Sequence, residues 1–155
     1  MTGTFPTRIL LATDGSEYSD RAAKVATHLS TTTGSELHVA HVGLEYFLVI
    51  HDYISPDQYE TLKKERQKVL DDQMESIEKA GGTVSEKHLK MGSRVDVEVV
   101  NLAEELDVGF IVVDSHGHGL LARSLLGSAA DSIVRQAHCP VLVVRGETER
   151  KENHE

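Results

Sequence analysis

The sequence predicts an α/β fold, a parallel sheet covered by helices on both faces. Three observations predict it. Short continuous apolar runs at residues 9–12 (ILLA), 110–113 (FIVV) and 141–144 (VLVV) suit strands buried on both faces. Longer stretches between such runs carry apolar residues at helical spacing. Glycine, serine or proline stands at nearly every change of period. A length of 155 residues, 39% of them hydrophobic and 26% charged, suits one globular domain.

The first strand, 9–12, ends at Thr13-Asp14-Gly15-Ser16. Ser16 can cap the helix that follows, with Glu17 and Asp20 favourable in its first turn. Tyr18, Ala22, Val25, Ala26 and Leu29 form one face of that helix, and Gly34 ends it. Residues 37–42 (LHVAHV) alternate as a second strand. An aromatic and aliphatic cluster over 46–54 lies in the connection that follows, placed to cover a ligand, a partner or the core. Ser55-Pro56 is an N-cap with proline at the first helical position. The stripe Tyr59, Leu62, Val69, Leu70, Met74 and Ile77 runs to Ala80, where Gly81-Gly82 stops it. Residues 84–91 form a charged edge strand. Val95, Val99, Leu102, Ala103 and Leu106 fit a helix, ended by Gly109. The strand 110–113 follows. A helix from Ser128 to about Ala137, buried through Ala130, Ile133, Val134 and Ala137, is stopped by Pro140 before a last strand over 141–145. Residues 1–146 read as a single domain and 147–155 as a disordered acidic tail.

Charge and composition exclude several classes. A formal net charge of −9 without a basic stripe argues against nucleic acid. No apolar run approaches the roughly 20 residues a membrane span needs, and the N-terminus has no secretory signal pattern. The one cysteine, Cys139, reads as a buried structural thiol and fits a reducing compartment. The expectation is a soluble cytoplasmic protein.

Sheets of this class bind ligands beyond the carboxyl ends of their strands, where the winding reverses. Two loops carry the informative residues, 13–16 and 114–128. If the strands before them are neighbours, both loops meet at one crevice. Gly117, Gly119 and Gly127 lead to Ser128 at a helix start, where free N–H groups and the helix dipole favour an anion. No lysine follows Gly127, so this is not a P-loop; a third glycine at dinucleotide spacing is also lacking. His116 and His118 read as surface histidines without a third ligand. Arg123 is the one cation near the glycines. No acid, base and nucleophile constellation stands out, so at most slow hydrolysis of a bound phosphate ester is expected.

A glycine, nine residues and Gly-Ser (Gly117, then Gly127-Ser128) precede an alanine-rich helix and Cys-Pro-Val-Leu-Val-Val. With RILLATDGS at 8–16, VVDSHG at 112–117 and LLGS at 125–128, this resembles the universal stress protein family over residues 7–145. The resemblance implies an open five-stranded Rossmann-like sheet in the order 3-2-1-4-5, a homodimer through the last strand (141–145) and, in one branch, bound ATP. It places Asp14 near the ribose or base and the Val42 backbone at the adenine. It puts the phosphates on the N–H groups of Gly117, Gly127, Ser128 and Ala129, with the Ser128 hydroxyl. Ala12, Thr13, Val113, His116 and Ala130 complete the implied site. Asp114 departs from the pattern, since the ATP-binding branch has glycine there. A carboxylate about 5 Å from a phosphate charge opposes it by roughly 3 kcal/mol at an effective dielectric of about 20. A Mg²⁺ ion held by Asp114 would reverse that sign. The rival expectation is a dimeric interaction protein of the same fold that binds no nucleotide.

Overall fold

A computed structural model describes residues 5–44, 55–115 and 127–145. In chain order the elements are β1 (Arg8–Thr13), α1 (Glu17–Thr33), β2 (Glu36–Leu44), α2 (Pro56–Lys79), β3 (Glu86–Gly92), α3 (Val95–Glu105), β4 (Phe110–Asp114), α4 (Ser128–Gln136) and β5 (Val141–Val144). The strands form one five-stranded sheet in the order β3-β2-β1-β4-β5. Every neighbouring pair is parallel. Both the expected class and the expected order are therefore present.

Strand geometry divides the core in two, because successive side chains leave a strand on opposite faces. Ile9, Leu11, Leu37, Val39 and Val112 pack against Ala22 and Ala26 of α1 and Leu70 and Ile77 of α2. Leu10, Ala40, Val42, Ile111 and Val113 pack against Val99, Leu102 and Ala103 of α3 and Ala130 and Ile133 of α4. Each fully buried Leu or Ile contributes about 1.5–3 kcal/mol over an exposed one. This is why the central strands read as unbroken apolar runs: both faces are covered.

The helix ends follow from local chemistry. Ser16 caps α1 by accepting from the Ser19 N–H, and Gly34 closes it in the left-handed region (φ 75°) with its N–H on the Ser30 carbonyl. Ser55 and Gln58 form a reciprocal capping box on α2, with Pro56 at its first turn. Three local expectations need correction. α3 ends at Glu105 with Leu106 as its C-cap, and the left-handed residue is Asp107 (φ 49°) rather than Gly109, since a short acidic side chain tolerates that region. β3 starts at Glu86, leaving Val84 before it. Val134 of α4 is 45% exposed; Ala130 and Ile133 alone bury this short helix.

Candidate functional site

The carboxyl end of the sheet opens between its two central strands. β1 pairs β2 as far as Thr13↔His41 but pairs β4 only as far as Leu11↔Val112. β4 instead continues alongside β5 to Asp114↔Val144. Ala12 and Thr13 therefore stay with β2 while Val113 and Asp114 follow β5. The winding also reverses here, so the chain leaves β1 into Asp14–Ser16 and leaves β4 into Ser115 on the two sides of one split. Val42 lies one residue past the last β1–β2 pair, where β2 overhangs β1 while still paired to β3.

Three residues shape the β1 side. Asp14 Oδ1 accepts from the Ser16 N–H at 2.9 Å and from the Ser16 hydroxyl at 2.6 Å, an Asx turn that sets the entry to α1. Gly15 has φ 81°, and a Cβ there would lie 2.4 Å from Val69 Cγ1 of α2, so only glycine fits. Thr13 is committed inward. Its hydroxyl donates to Gln73 Oε1 at 2.7 Å and accepts from the Gly15 N–H at 3.1 Å. Its carbonyl accepts from His41 Nδ1 at 2.8 Å, which fixes the proton on that nitrogen. Gln73 Nε2 goes on to Asp20 Oδ1 at 3.2 Å. Thr13 thus serves the floor of the split.

The α4 side is made of main chain. Gly127 is the N-cap in an extended conformation (φ −60°, ψ 151°), and its N–H donates to the Ser115 carbonyl at 2.7 Å. That bond joins the end of β4 to the start of α4 and engages an N–H expected to meet phosphate. The first-turn N–H groups of Ser128, Ala129 and Ala130 have no partner within the helix by their position. The Ser128 side chain is exposed, Ala129 is half-buried and Ala130 is in the core. Asp96, at the start of α3, clasps α4. Its Oδ2 accepts from Ser132 Oγ at 2.6 Å and Gln136 Nε2 at 3.0 Å, and its Oδ1 from Arg94 Nε at 3.1 Å. Burial opposes ionisation of this carboxyl, but the bonds from Ser132, Arg94 and Gln136 prevail and hold it down at about 2.

His116, Gly117, His118, Gly119 and Arg123 lie outside the described residues, as does the 46–54 cluster. Cys139 is half-buried rather than buried, and burial pushes its thiol up to about 11, which suits packing and not nucleophilic chemistry.

Gln73 and His41 were not anticipated as parts of the floor. Gln73 follows Leu70 by three and precedes Ile77 by four on α2, so a polar residue within that buried stripe was the signal available. At the amino end of the sheet a second group was also not anticipated. His38 of β2 and Glu86 and His88 of β3 bring two ring nitrogens and a carboxylate together. The two rings stack with centroids 5.5 Å apart. Burial, then the neighbouring His38, lowers the pKa of His88.

A model of the universal stress protein family matches residues 6–145. Universal stress protein YxiE of Bacillus subtilis is 30% identical over 147 residues, covering 89% of this chain and 98% of that protein. Among solved structures, the hypothetical protein MJ0577 superposes with a TM-score of 0.78 at 26% identity, covering 93% of this chain and 99% of that one. A universal stress protein in complex with cAMP superposes with a TM-score of 0.68 at 22% identity, covering 93% and 100%. No described helix is long and apolar enough to cross a membrane.

Proposed function

The chain belongs to the universal stress protein family, and from that premise we propose that it binds an adenine nucleotide, ATP foremost, in the split between β1 and β4. Bound nucleotide would bias its conformation or its partners in stress response or signalling. The observation that carries this reading is the divergence of β1 and β4 after Leu11↔Val112, with the start of α4 closing the far side. The first-turn N–H groups of Ser128, Ala129 and Ala130 supply an anion site. Gly117 and His116 complete it in this reading. The Val42 backbone receives the adenine, and Asp14, held by Ser16, stands on the ribose side with Ala12 and Thr13 beneath. The likeness to the cAMP-bound protein, at 22% identity, carries the fold alone, so the ligand is tested rather than transferred.

Asp114, at the end of β4 beside Val113, is the one residue that favours the rival reading of a nucleotide-free interaction protein. Mg²⁺ is the ion that reconciles it with ATP, through its carboxylate. Mass spectrometry of ligand released from the denatured purified protein is expected to find an adenine nucleotide. Titration of the stripped protein then gives an ATP affinity, and Asp114→Gly tightens it about tenfold or more without Mg²⁺. No released nucleotide together with no ATP binding overturns the reading; an unchanged affinity in Asp114→Gly overturns the electrostatic part of it.

A homodimer through residues 141–145 belongs to the same proposal. β5 is an apolar edge strand, half-buried at all four residues, and such edges pair readily. Sedimentation at micromolar concentration is expected to give a dimer, and a monomer removes this interface.

A further inference from the structure

We propose that His38, Glu86 and His88 form a binding site for a divalent transition ion, Zn²⁺ by preference, at the amino end of the sheet. The proposal is independent of the nucleotide reading. His38 Nδ1 lies 3.2 Å from His88 Nε2 and 3.6 Å from Glu86 Oε1, and His88 Nε2 lies 3.5 Å from the same oxygen. The three donors make a nearly equilateral triangle. An ion with four ligands at about 2.0–2.1 Å in a tetrahedron needs its donors about 3.3 Å apart. The triangle therefore matches one face of such a tetrahedron, with the fourth corner left for water.

The surroundings orient the first ligand. His38 Nε2 faces Glu36 Oε1 at 3.1 Å, the carboxylate–histidine pairing that fixes the ring and tautomer of metal-bound histidines. A neutral His38 donating from Nε2 carries its lone pair on Nδ1, toward the triangle. Register explains the assembly. His38 is the partner of Glu86 across the β2–β3 ladder, and His88 follows two residues on, on the same face. The ligand set is two imidazoles and one carboxylate, which suits Zn²⁺ better than Mg²⁺ or Ca²⁺, whose sites are built of oxygen. Access is open on the edge-strand side: the Glu86 side chain is 62% exposed while that of His38 is 5% exposed. Glu105 adds negative charge nearby, opposed by Lys90. A hydrogen bond between the two histidines accounts for one side of the triangle but not for the carboxylate oxygen equidistant from both rings. A bound ion would tie the edge strand β3 to β2.

The test is titration of the full metal-free chain with Zn²⁺, and with Co²⁺ as an optical reporter. The expected result is one tight equivalent per chain and the intense visible bands of four-coordinate Co²⁺. Glu86→Gln, at an exposed position, and His88→Gln, at a partly buried one, each weaken Zn²⁺ about tenfold or more, and Glu36→Gln weakens it about tenfold. Unchanged circular dichroism in these variants separates ligand loss from misfolding. No Zn²⁺ uptake at micromolar concentration, a weak six-coordinate Co²⁺ spectrum, or uptake equal in wild type, Glu86→Gln and His88→Gln overturns the proposal.

Discussion

The two ends of one sheet are built on opposite principles. At the carboxyl end β1 and β4 part after Leu11↔Val112, and the space between them is bordered by a turn held by the Asp14 carboxylate, a glycine of positive φ and the main chain of a helix start. At the amino end β2 and β3 stay in register, and what they present is side chains, with His38, Glu86 and His88 brought together by the ladder. A split between strands exposes backbone donors to an anion, whereas an intact ladder stacks side-chain donors for a cation. On the two proposals made above, one fold offers sites of opposite charge preference at its two ends.

The carboxyl end is most sensitive to substitution at Gly15. Alanine there must hold φ near 81° and place its Cβ 2.4 Å from Val69 Cγ1, a β-branched side chain on a packed helix. Gly15→Ala is expected to destabilise the protein by about 2–3 kcal/mol, the left-handed backbone contributing about 1–2 of that. Denaturant unfolding measures it as a lower midpoint at unchanged slope. A loss below about 0.5 kcal/mol would mean that the β1 turn yields to a side chain and that the reading of Gly15 as a position only glycine fits is wrong.

How far each end could be read from sequence follows from the same contrast. The carboxyl end was legible because its determinants are local: Asp14-Gly15-Ser16 and Gly127-Ser128 each sit at a change of period next to an apolar run. The central strands were legible for a related reason, burial on both faces. What escaped depends on register or on partners distant in sequence. His38 and His88 are 50 residues apart, and a one-residue slip of β3 would send His88 to the opposite face. Gln73 meets Thr13 across 60 residues. Val134 was misjudged because helical spacing gives a face but not its width, and α4 is only nine residues long with Ala130 and Ile133 already filling its contact. Gly127 was placed correctly at the helix start, but its N–H on the Ser115 carbonyl required the return path of the chain.

Asp96 gives a smaller effect and a sharper one, because it tests whether the main-chain end depends on a side chain held at a distance. Its carboxylate fastens Ser132 and Gln136 of α4, the helix whose first turn borders the split. Asp96→Asn keeps the shape but gives up charge-assisted bonds and is expected to cost about 1–2 kcal/mol. The sign with pH is set by the direction of its shift. The folded carboxyl titrates at about 2, below the value near 3.9 of an unfolded chain. Its contribution is therefore present above about pH 4 and is lost as the pH falls through about 2. Wild type and Asp96→Asn should differ most in stability at neutral pH and converge toward pH 2, measured by denaturant unfolding across that range. Nucleotide affinity should fall modestly in the same variant while Zn²⁺ affinity at His38, Glu86 and His88 stays unchanged, because α4 packs on the split and β3 does not. A parallel loss of both affinities would show that the two ends share one stability rather than standing as separate sites.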